Sequence, residues 1–62
     1  MIELTKLNGT TVLINPLQIE YIEIMPESRI IMMNGKFHIV SEDKDFIIEE
    51  VKKYYQSIFQ SK

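Results

Sequence analysis

The sequence predicts an α+β domain: a five-stranded antiparallel meander, its small sheet able to curl toward a barrel, followed by one C-terminal helix. Three observations lead there. Two Asn-Gly pairs, Asn8-Gly9 and Asn34-Gly35, each sit between runs rich in aliphatic and β-branched residues. A third such run lies between these two hairpins. After Val40 the apolar residues recur at spacings of three and four, the period of a helix.

The first strand is expected over about 2–7, where Ile2 and Leu4 alternate with Glu3 and Thr5. Asn8-Gly9 then predicts a type I′ turn, which needs positive φ at both central residues, a conformation Asn and Gly adopt at least cost. The second strand covers about 11–15. Asn15-Pro16 leads into a third, about 19–25, reading Ile-Glu-Tyr-Ile-Glu-Ile-Met, and Pro26-Glu27-Ser28 turns the chain out of it. Strands four and five, about 29–33 and 36–40, flank the turn at Asn34-Gly35.

The helix is expected over about 42–59. Ser41 is its N-cap. Glu42, Asp43 and Asp45 lie at the positive end of the helix dipole, with Lys52 and Lys53 in the later half. Glu49 and Lys53 form an i,i+4 pair. Ile47, Val51, Tyr54 and Ile58 make one apolar stripe, and Ile48, Tyr55 and Phe59 widen it into a second face.

Sixty-two residues make one domain, and a chain this short buries only about 60% of its unfolded surface. Small domains usually add disulfides, a metal or a partner subunit to a thin core. Cysteine is absent and histidine occurs once, so neither disulfides nor a zinc or iron site is expected, and no cofactor. One helix covers one face of a sheet, yet Ile30 to Met33 and the Tyr21-Ile22 pair send apolar side chains to both faces. The expectation is a homo-oligomer that buries the second face.

Net charge is −2, from seven basic and nine acidic residues mixed along the chain. No basic stripe is present to meet phosphates, which argues against nucleic acid as a partner. The longest apolar run, Ile30 to Met33, is far too short to enter a bilayer. The opening Met-Ile-Glu-Leu-Thr-Lys lacks the features of a signal peptide, so the cytoplasm is the expected location.

Catalysis needs a positioned acid, base, nucleophile or metal, and no such set is visible, so no enzyme is expected. His38 is a partly exposed strand residue between Phe37 and Ile39. Glu20 and Glu23 lie three apart on a strand and so face opposite ways. Gly9 and Gly35 are isolated turn glycines, not a phosphate-cradling loop. Met25, Met32 and Met33 read first as core filling, with an adaptable binding surface as the second reading.

The opening Met-Ile-Glu-Leu-Thr-Lys-Leu-Asn-Gly, then Leu-Ile-Asn-Pro with Ile-Glu-Tyr-Ile-Glu, then Pro-Glu-Ser, Asn-Gly-Lys and Val-Ser-Glu before a helix, resemble the FlbD/SwrD family of flagellar proteins. The likeness runs in order along nearly the whole chain. It departs at Asp43, where a serine is expected, and at His38, where an aromatic or aliphatic is expected. The resemblance implies a small cytoplasmic protein that supports motor power and swarming, with motor or stator components as its protein partners. Most recurring positions have structural duties, including the turn residues Asn8, Gly9, Pro16, Pro26, Asn34 and Gly35. Asn15, Glu20, Lys36 and Glu42 remain as candidates for contacting a partner.

A second reading is a small RNA-binding regulator. The length, the Met-Ile-x-Leu-Thr opening and five strands before a helix resemble the carbon-storage-regulator family. That family carries basic edge strands and a Gly-x-x-Val-Arg-like fourth strand, where this chain has Glu-Ser-Arg-Ile-Ile-Met-Met. Only Lys6, Arg29 and Lys36 supply basic charge on the sheet.

Overall fold

The structure, a computed structural model, describes residues 1–59. Strands β1 (Ile2–Thr5), β2 (Thr11–Ile14), β3 (Ile19–Glu23), β4 (Ser28–Met32) and β5 (Phe37–Val40) precede one helix, α1 (Lys44–Phe59). The α+β class, the five strands and the C-terminal helix therefore agree with the sequence reading. The continuous meander does not. The strands form two antiparallel sheets, β1-β2 and β3-β4-β5, with no ladder from β2 to β3 among the described residues. Nor do they close into a barrel.

Local chemistry explains the split. After β2 the chain makes a 3-10 turn, Pro16–Gln18, whose first free amide at Leu17 donates to the Asn15 side chain at 3.0 Å. Residues that a meander would spend on pairing are spent on this turn. The first hairpin reaches the second sheet elsewhere, by an isolated antiparallel bridge from Lys6 to Val40 and a bond from the Ser41 amide to the Thr5 carbonyl.

Both hairpin turns differ from the type I′ expectation. Among the described residues none other than glycine has positive φ, whereas Gly9 and Gly35 sit at +91° and +88°. The Gly9 amide donates to Lys6 and the Gly35 amide to Met32, so each glycine ends a four-residue turn instead of standing at its centre. Each loop thus has three residues, with glycine in the left-handed position that follows a type I turn. In both, the asparagine uses its side chain to accept an amide two residues on, Thr10 from Asn8 and Lys36 from Asn34.

The core comprises Ile2 and Leu4 of β1, Ile14 of β2, Ile30 of β4, Val40 of β5 and Ile47 of α1. Val12, Ile19, Ile22, Met32, Val51 and Tyr54 pack around it. In β3 a bulge places two residues, Ile19 and Glu20, opposite Met32, so the alternation resets. Ile19 and Ile22 consequently both reach the core despite being three apart. Glu20, Tyr21 and Glu23 are all exposed, which overturns the expectation that the two glutamates face opposite ways.

The helix begins two residues later than predicted. Asp43, not Ser41, is its cap: its carboxylate accepts the Phe46 amide at 3.0 Å and its carbonyl accepts the Ile47 amide. Lys53 pairs with Glu50 at 3.4 Å and not with Glu49. Ile47 is the only helical residue fully buried, and the later members of the stripe emerge progressively until Ile58 is 38% exposed. Met25 and Met33 are exposed at 82% and 61%, so of the three methionines assigned to the core only Met32 packs there.

Candidate functional site

The Met33 amide donates to the Gln18 carbonyl at 2.7 Å and so ties the 3-10 turn to the second hairpin. A cleft of about 240 Å³ opens along that seam. Asn15, Gln18, Asn34 and Lys36 supply its polar lining. Met32 and Met33 supply its apolar part, with His38 beside them on β5. Two of the four partner candidates, Asn15 and Lys36, thus meet in one place although 21 positions separate them. Gln18, Met33 and His38 were missed as site residues. The signal available in the sequence was weak: two asparagine-started turns of unlike type, with nothing to say that they touch.

Glu42 lies elsewhere, half-buried at a second, more open cleft, with one carboxylate oxygen engaged. Its carboxylate accepts the Thr5 amide at 2.9 Å, and its carbonyl accepts the hydroxyl of Ser28, the one buried polar residue among the described residues, at 2.7 Å. Partial burial acts to raise the pKa of this carboxyl. Hydrogen bonds from the Thr5 amide, the Thr5 side chain and Glu42's own amide outweigh it and hold the group below the ordinary value. The residue clamps β1 to the start of the helix. Glu20 stands exposed on the β3 bulge, with no ion pair among the described residues.

The face of β3-β4-β5 turned away from the core is a second surface. Tyr21, Ile31 and Phe37 form one row across the three strands, with Ile31 between the other two, and Glu23, Arg29 and Ile39 form the next row. Tyr21 and Phe37 are about half exposed. The Arg29 guanidinium lies 5.1 Å from the Phe37 ring centre, within 4 Å of both Glu23 and Glu27. On α1, Tyr55 and Phe59 stack at 6.0 Å with planes 3° apart, forming part of the second apolar face expected for the helix.

Among the described residues no three His, Cys, Asp or Glu side chains gather as a metal site, and no helix is long and apolar enough to cross a membrane. The search of curated proteins finds no match, and neither does that of solved structures. The family comparison does. A model described as FlbD, flagellar and swarming motility proteins, matches residues 1–59, the whole described chain, and the protein therefore belongs to the FlbD family of flagellar and swarming motility proteins.

Proposed function

We propose that this protein is a non-enzymatic accessory of the flagellar motor that supports motor power through contacts with other proteins. The observation that carries the reading is the row of Tyr21, Ile31 and Phe37 on the outer face of the three-stranded sheet, with Tyr21 and Phe37 about half exposed. Total accessible surface is 4393 Å², close to the roughly 4,200 Å² of a compact monomer of this mass. The chain is therefore not open or loosely packed; its surplus lies in which side chains face outward. A contiguous apolar patch rimmed by charge is the usual mark of a protein-contact surface.

A homo-oligomer, cytoplasmic and recruited to the motor, fits the same surface. The RNA-binding reading gains no support from the charge arrangement. Arg29, the only basic residue within the five described strands, is bracketed by Glu23 and Glu27 and is thereby poorly suited to meet phosphates.

The test is genetic and mechanical. Deletion is expected to leave filaments assembled while lowering the torque of single tethered motors and abolishing swarming. Loss of filaments would refute the motor-power role. Tight, salt-sensitive retention of cellular RNA in a gel-shift assay would favour the second reading.

A further inference from the structure

We propose that the cleft between the 3-10 turn and the second hairpin binds a carboxylate side chain of a partner protein, presented next to an apolar residue. The proposal rests on the protein-contact reading above and names the chemistry of the contact. Three of the polar lining residues, Asn15, Asn34 and Lys36, present donors. Asn15 accepts the Leu17 amide and Asn34 accepts the Lys36 amide, each at 3.0 Å. Both side-chain oxygens are thereby held on the backbone, which leaves the two NH2 groups to face a ligand. Lys36 is exposed and forms no ion pair among the described residues, so its three N–H donors are available.

None of the lining residues is acidic, in a chain whose net charge is −2. A site rich in donors with one lysine cation and no acid calls for an acceptor-only, singly charged group, which is a carboxylate. Phosphate is a poorer fit. It carries nearly two charges and is best met by arginine forks or by clustered backbone amides, and the lining offers one lysine and neutral amides. Met32 and Met33 make the other wall an adaptable apolar surface. At about 240 Å³ the cleft suits a single side chain, below the range of about 300 Å³ upward typical of small-molecule sites.

The experiment is an NMR titration of the full-length, 15N-labelled protein, following the side-chain NH2 signals of Asn15, Gln18 and Asn34. Three probes are compared: acetyl-Leu-Glu-Leu-amide, acetyl-Leu-Gln-Leu-amide and inorganic phosphate. Saturable shifts with the glutamate peptide, absent with its glutamine twin, are expected. Lys36→Gln is expected to weaken that binding about tenfold or more, with backbone signals away from the cleft unchanged. Equal response to both peptides, tighter binding of phosphate, or an indifferent Lys36→Gln each overturns the proposal. The outcome separates from that of the functional reading. Glutamate-specific binding alongside a deletion strain of normal torque sinks the motor role alone; a torque defect without such binding sinks the cleft alone.

Discussion

Glu42 holds Thr5 from across the fold: its carboxylate accepts the Thr5 amide at 2.9 Å, while the preceding Ser41 amide donates to the Thr5 carbonyl at 2.8 Å. The segment between β5 and the helix thus acts as a strand neighbour of β1 for one residue. Removing the acceptor leaves an amide unpaired in a partly buried place. Glu42→Ala is expected to cost about 1–3 kcal/mol, and Glu42→Gln, which keeps an acceptor, less. Urea denaturation of the three proteins measures both.

The same clamp makes stability depend on acid. The folded-state pKa of Glu42 lies below its ordinary value, so the folded state favours the charged form. Its contribution is present in full above the unfolded value, near 4.5, and is lost as pH falls through the lower folded value. Denaturant midpoints recorded between neutral and acidic pH should fall below that point, and less steeply in Glu42→Gln.

Ile47 is the fully buried anchor of the helix, with Val51 and Tyr54 half-buried beside it. A 16-residue helix is only marginally stable in water by itself, and no other α1 side chain is fully buried. Ile47→Ala is expected to cost about 2–5 kcal/mol. Against a total of roughly 5 kcal/mol for a small domain, the upper end of that range leaves about half of the population unfolded. Circular dichroism would show helical signal lost together with the sheet.

Gly35 tests the turn. A Cβ there would meet nothing within 4 Å, so the cost of Gly35→Ala comes from the positive φ alone, about 1–2 kcal/mol. Gly35→Asn should cost less, because asparagine tolerates that region. Thermal melts of both variants give the comparison.

Phe37 tests the outer sheet face. If that face joins copies of the chain, Phe37→Ser should change subunit stability by less than about 1 kcal/mol, since the ring is half exposed. It should nevertheless shift sedimentation equilibrium at micromolar concentration from oligomer to monomer. A wild-type protein that is monomeric there would rule the oligomer out.

Much of this was legible because it is local. Turn glycines and asparagines, proline exits and the switch from alternation to helical spacing act within a few residues, and these place all five strands and the helix to within about two positions. Errors arose where a local rule had a competitor. Asn-Gly serves both a two-residue turn and the three-residue loop found here. Ser41 and Asp43 both qualify as caps, and Ser41 is taken by Thr5. The bulge at Glu20 is silent in the sequence, because an extra residue leaves composition unchanged while inverting every later side chain in the strand.

Composition and local order along the chain were enough for the elements, for the lack of cysteine chemistry and for the excess of apolar side chains over what one helix can cover. It took the folded arrangement to show that the sheet divides, that β5 and not β3 adjoins the first hairpin, and that Asn15 meets Lys36 while Glu42 binds Thr5. Short-range propensity depends on neighbours in the chain. Contacts between residues 21 to 37 positions apart depend on how two separately formed hairpins dock, and that is settled by the burial of Leu4, Ile30 and Ile47 together.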